Sequence, residues 1–168
     1  MRKFLCLIVV AVSTVAGAQV STAADAQKDP TYNQLKRLVG GVWHAKLEKV
    51  DVESTWKLGA DGISLIGETL IGKDTKTPFT LMARFGWDPV AKQVYYLDAH
   101  GHDTVYFGHA AMEDKDVMIA FKTLVGSPSS FLFRSAFLTD DSYEATLYAD
   151  DNGKRGKQIE QFVWVRTK

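Results

Sequence analysis

The change of period at Gly40-Gly41 constrains this chain more than any other feature of its sequence. Before it, Asp29-Pro30 offers an N-cap followed by proline at the first helical position, and Tyr32, Leu35 and Leu38 recur at helical spacing until the two glycines end the turn. After it, apolar, β-branched and aromatic residues alternate with polar ones in segments near 42–49, 52–58, 63–71, 79–87, 93–99, 103–111, 116–124, 130–138, 142–149 and 158–166. Turn formers separate them, among them Asp61-Gly62, Asp88-Pro89, Gly101, Gly126-Ser127-Pro128, Asp140-Asp141 and Asn152-Gly153. One short helix followed by hairpins on this scale describes an all-β domain. An up-and-down antiparallel barrel of 8–10 strands hides both sheet edges in one step. A two-sheet sandwich has the same strand spacing and stays open as an alternative.

The ends and the charge bound the setting. Met1-Arg2-Lys3 is basic, Phe4 to Val15 is almost wholly apolar, and Ala16-Gly17-Ala18 supplies small residues before Gln19. This tripartite pattern predicts an export signal over residues 1–18, with an alternative cut after Ala26, and hence a periplasmic or secreted protein. The apolar run is shorter than the roughly 20 residues a membrane-spanning helix needs. Residues 19–29 read as a flexible lead and 30–168 as a single domain, which suits the roughly 150 residues left after cleavage. Cys6, the only cysteine, falls inside the signal, so a cut there removes disulfides, thiolate ligands and a cysteine nucleophile together. Removal after Ala18 takes the 20 basic residues to 18 against 20 acidic ones, a charge near −2. The basic residues are scattered among acids and form no patch of the kind that neutralises phosphates, which argues against a nucleic acid partner.

Gly41-x-Trp43 after a short helix resembles the opening of a lipocalin or related calycin barrel. The resemblance implies that Trp43 lies across the closed end, with a basic residue of the last strand packed over its ring. Arg166, in Val163-Trp164-Val165-Arg166, occupies that place. The wider pattern of Leu38-Val39-Gly40-Gly41-Val42-Trp43, Phe85-Gly86-Trp87-Asp88-Pro89, Lys92-Gln93-Val94-Tyr95-Tyr96-Leu97-Asp98 and Gly108 is similar to a bacterial family of exported lipocalin-like proteins known as DUF1579. That likeness spans roughly residues 30–168 and brings a barrel with no established activity. Nitrobindin, a haem-binding relative, ligates iron through a histidine on a late strand. This chain has no histidine after His109, so no haem and no other cofactor is expected.

Pairing the strands across Asp88-Pro89 puts Ala83, Phe85 and Trp87 on one face with Val94, Tyr96 and Asp98. Carrying the register through the turn at 100–103 adds Val105, Phe107 and His109 to it. This face is largely aromatic and is expected to point inward, because pockets are mostly apolar with a few placed polar groups. Phe85, Trp87, Tyr96, Asp98, Phe107 and His109 are then the candidate ligand contacts. A one-residue slip exchanges the faces and makes Arg84, with Glu68 opposite it, the anchor for a carboxylate. Asp98, His100 and His102 alternate as a metal site would, but Gly101 breaks the extended backbone and favours a solvated turn. Gly62-Ile63-Ser64-Leu65-Ile66-Gly67 has one residue too many for a nucleophile elbow. The expectation is a non-enzymatic barrel that binds a small apolar or amphipathic ligand. The alternatives are a hydrolase or isomerase using Asp98 with His109, or with His100 and His102, and a solid barrel that acts through its outer surface in the cell envelope.

Overall fold

Why the barrel closes where it does is set by the few residues around Gly41. The structure is a computed structural model and describes residues 23–48, 50–101 and 103–167. The expected leader with Cys6, and His102 of the turn triplet, lie outside these residues. Residues 23–28, expected within a flexible lead, are helical, and Ala26 is fully buried. Helix α1 (Pro30–Leu35) begins as the sequence indicates, with Asp29 Oδ1 accepting from the Tyr32 N–H at 2.9 Å and proline in the first turn. A 3-10 turn (Lys36–Leu38) extends it. Gly40 and Gly41 then reverse the chain at φ of 91° and 71°, in the left-handed region that glycine enters without penalty. A Cβ on Gly41 would also lie 2.6 Å from the Thr167 carbonyl oxygen, so this position excludes a side chain twice over.

Ten strands follow: β1 (Val42–Leu47), β2 (Val50–Leu58), β3 (Leu65–Ile71), β4 (Phe79–Asp88), β5 (Gln93–His100), β6 (Thr104–Glu113), β7 (Asp116–Val125), β8 (Ser130–Thr139), β9 (Ser142–Asp151) and β10 (Lys154–Thr167). Each pairs antiparallel with the next, and β1 pairs with β10 through Val42↔Thr167, Trp43↔Arg166 and His44↔Val165, which closes the barrel and removes the sandwich alternative. β10 starts earlier than its alternation suggests, at Lys154, because two register shifts between Arg155 and Glu160 break the period.

The helix plugs the end of the barrel where β1 starts and β10 finishes. Tyr32, Leu35 and Leu38 are buried there with Trp43, Tyr143 and Trp164. Trp43 is wholly buried, donates from Nε1 to the Leu38 carbonyl at 2.8 Å and meets the Tyr143 ring edge-on at 5.1 Å. The Arg166 guanidinium stands 4.7 Å from the Trp43 ring centroid. It also donates from Nη1 to the Arg37 and Val39 carbonyls at 2.9 and 3.3 Å and from Nε to Asp141 Oδ1 at 2.9 Å. One side chain thus ties the helix, the β8–β9 turn and the indole into a floor. Among the described residues no helix is long and apolar enough to cross a membrane.

Candidate functional site

Alternation decides which side chains enter the barrel, and the ladder across Asp88-Pro89 fixes it for two strands. Ala83 lies opposite Asp98, Phe85 opposite Tyr96 and Trp87 opposite Val94. Asp88 Oδ1 sets this turn by accepting from the Val90 and Ala91 N–H groups at 2.9 and 3.0 Å. These hydrogen bonds, with a lesser contribution from the charge of His109, hold its carboxyl below the usual carboxylate range.

Phe85, Tyr96 and Asp98 face an interior cavity of about 340 Å³. Its walls run from Leu35 and Leu38 on the helix to Leu47, Ile71 and His100 at the far ends of their strands. Trp87 packs into the core nearer the floor, beside Val94, and is not part of the cavity lining.

The next strand departs from the expectation. The turn from His100 to Thr104 holds three residues and turns at Gly101, with φ of 59°, so even positions pair with even ones: Tyr96 faces Gly108 and Asp98 faces Tyr106. One residue more than the expected register moves every β6 side chain to the opposite face. Phe107 and His109 therefore lie on the outer surface, where Phe107 stacks on Tyr95 at 6.4 Å and meets His109 edge-on at 5.3 Å. Tyr106, between Val105 and Phe107, points inside instead. The pairing of Asp98 with His109 is thereby excluded.

Arg84 is on the outer face as well and does not reach the interior. Glu68 stands opposite Met82, two places from the expected partnership, and Arg84 instead donates from Nη2 to Asp61 Oδ2 and from Nε to Ser64 Oγ, both at 3.0 Å. Ser64 in turn donates to Asp61, so this serine is part of a surface clasp between the β2–β3 turn and β4, with no histidine in it. Burial opposes ionisation of Asp61, but the Ser64 hydroxyl, the Ser64 and Ile63 N–H groups and the Arg84 charge outweigh it and lower the carboxyl to about 2.

Inside, the rings form a connected wall. Trp56 stacks on Phe85 at 5.4 Å, Phe85 touches Tyr96 at 5.1 Å, Tyr96 meets Phe121 at 5.4 Å, and Phe121 meets Tyr106 at 5.5 Å. Glycines opposite two of these rings make room: Gly67 faces Trp56 and Gly108 faces Phe121 across their ladders. A Cβ on Gly108 would lie 1.9 Å from the Ala120 carbonyl oxygen, so β6 and β7 approach as closely as they do only with glycine there.

Three polar side chains interrupt this wall together. Asp98 is 5% exposed, and its Oδ2 accepts from the Tyr96 hydroxyl at 2.8 Å and lies 2.6 Å from His100 Nε2. A carboxylate only accepts, so the shared proton with His100 sits on Nε2 and leaves Nδ1 for a second partner. Burial first, then the adjacent Asp98 charge, pushes the Tyr96 phenol well above its usual range, so it remains a donor. Asp98 Oδ1 is buried with no hydrogen-bond partner among the described residues. Glu160 also lines the cavity, in step with Phe162 and Trp164, because the ladder of β10 with β9 is regular from Glu160 onward. Ser54 and Ser135 add two small hydroxyls to the lining.

Tyr96, Asp98 and His100 thus form one interior polar cluster, whereas Phe107, His109, Arg84 and Glu68 stand apart from it. Among the described residues no group of histidine, cysteine, aspartate and glutamate is arranged to hold a metal ion. The chain matches no protein-family model and no curated protein.

Proposed function

We propose that this protein binds a small, largely apolar molecule inside its barrel, with the polar end of that molecule on Asp98. The observation that carries this reading is a carboxylate oxygen buried without a partner among the described residues, in the wall of a largely aromatic cavity. Buried polar atoms are nearly always hydrogen-bonded, and leaving one unpaired costs about 1–3 kcal/mol. A ligand donor supplies the missing bond. At about 30 Å³ of liquid volume per water-sized group, the cavity takes roughly ten to twelve heavy atoms. Its size and apolar lining suit a small-molecule site.

The reading includes export by the leader pattern of residues 1–18 and membership of the DUF1579-like, lipocalin-like group suggested by Gly41-x-Trp43 and Phe85-Gly86-Trp87-Asp88-Pro89. It favours binding over catalysis because His100 is engaged by Asp98 and, among the described residues, neither lining serine, Ser54 or Ser135, is hydrogen-bonded to it for activation. A fluorescence titration with naphthalene, which matches the cavity in size and has no polar group, tests the binding site. Saturable binding at one site is expected, and Ile71→Trp, which drives a larger side chain into the cavity, is expected to abolish it while leaving cooperative unfolding intact. Binding unaffected by Ile71→Trp, or none at all in the wild-type protein, overturns the reading.

A further inference from the structure

The geometry points to a ligand of one chemical class: a primary amine on a short apolar body, bound as the ammonium with an N–H on Asp98 Oδ1. This inference rests on the interior binding site proposed above and specifies what that site prefers. Three features of the lining carry it. First, Asp98 Oδ1 is an acceptor with nothing donating to it among the described residues, while Oδ2 is already engaged by Tyr96 and His100. The site therefore asks for a donor and has no use for a further acceptor.

Second, the charges facing the cavity are unequal. Among the described residues, Asp98 and Glu160 are the two carboxylates of the lining, His100 is its one basic side chain, and no lysine or arginine reaches it. Even with His100 protonated, one negative charge is left over. A carboxylate ligand meets repulsion there, a neutral hydroxyl makes an ordinary hydrogen bond, and an ammonium makes a charge-assisted one in a site where water does not screen it. The protein has already spent the desolvation of Asp98 in folding, so the ligand bears only its own.

Third, the wall beside Asp98 is built of ring faces and edges. Tyr106 lies directly across the ladder from Asp98, and Tyr106, Phe121 and Phe131 are in mutual contact at 5.5 to 6.0 Å. A cation next to such rings gains from their quadrupoles, which a neutral or anionic head group does not. Carboxylate, imbalance of charge and aromatic wall all favour the same head group.

Calorimetric titration of the purified protein at neutral pH with octylammonium, 1-octanol and octanoate separates these contributions on one apolar body. Octylammonium is expected to bind about 10-fold or more tightly than octanol, as a hydrogen bond to a charged group warrants, with octanoate weakest. Asp98→Asn is expected to bring octylammonium close to octanol. If that variant does not fold, the wild-type series decides alone. Octanol or octanoate binding as well as octylammonium, or octylammonium keeping its full advantage in a folded Asp98→Asn protein, overturns the amine preference while leaving interior binding in place. Failure of all three probes alongside saturable naphthalene binding overturns it likewise, and failure of naphthalene as well removes the binding site itself.

Discussion

Arg166 is where loss of a single side chain should unfasten the most structure. Its side chain is 15% exposed, and its guanidinium lies 4.7 Å from the Trp43 ring centroid and donates to the Arg37, Val39 and Asp140 carbonyls and to Asp141 Oδ1. The contacts to Asp140 and Asp141 are at the surface and partly replaced by water, so they are given little weight. The two carbonyls at the end of the helix lie deeper, and losing a charged donor to them is worth about 1.5 kcal/mol each. Loss of the cation over a buried indole adds about 1 kcal/mol. Arg166→Met should then cost about 3–4 kcal/mol. Arg166→Lys keeps the charge but not the planar fork that reaches three elements at once, and should cost about 2 kcal/mol. Urea unfolding followed by tryptophan fluorescence measures both. With a slope of about 2 kcal/mol per molar, the Met variant should shift the midpoint down by roughly 1.5–2 M. A shift in the Met variant equivalent to less than about 1 kcal/mol, or a Lys variant as stable as the wild type, would refute the idea that Arg166 fastens the floor.

Other consequences follow from particular contacts. Gly108→Ala should destabilise by about 2–4 kcal/mol or prevent folding, since the added methyl meets the backbone of β7 at 1.9 Å and the strands must separate; a thermal scan showing an unchanged midpoint would contradict this. Asp61, with its carboxyl lowered to about 2 from 3.8, stabilises the fold above the unfolded value and loses that contribution as pH falls through the folded one. Because Asp61 is 43% exposed, screening reduces its worth to about 1 kcal/mol, so the stability gap between wild type and Asp61→Asn should be present at pH 6 and close toward pH 2. A gap independent of pH in thermal denaturation would argue against the clasp. On the outer face, Phe107→Ala and His109→Ala should leave naphthalene affinity unchanged within about twofold, whereas Phe121→Ala, inside, should alter it severalfold.

The contrast between Tyr96 and His109 explains how much of the site could be read from residues alone. Ten strands and their turns are visible because alternation and turn formers are local signals, and the Asp88-Pro89 hairpin has enough turn chemistry to give Phe85, Tyr96 and Asp98 their shared face. Parity beyond a glycine turn is not local. Whether Gly101 sits in a loop with an even or an odd number of residues is decided by how β5 and β6 pack, and a single residue reverses Phe107, His109 and Tyr106 together. Glu160 follows the plain alternation of Phe162 and Trp164, and a charged residue on an apolar face is the kind of lining group that a search for aromatic positions passes over. The Glu68 and Arg84 expectation failed by two places, since the long connection between β3 and β4 fixes no register and Asp61 competes for the arginine. Trp43 and Arg166 were legible only through the resemblance that Gly41-x-Trp43 carries, and the structure pairs them across β1 and β10.

The aromatic interior, and not the aromatic outer patch, is the expected seat of the ligand. Intermolecular nuclear Overhauser effects from bound naphthalene test it most directly, because they report which rings the ligand touches. Contacts to the rings of Tyr96, Phe121 and Phe85, which line the cavity, are expected. Contacts to Tyr95 and Phe107 on the outer face, with none to the interior rings, would contradict it.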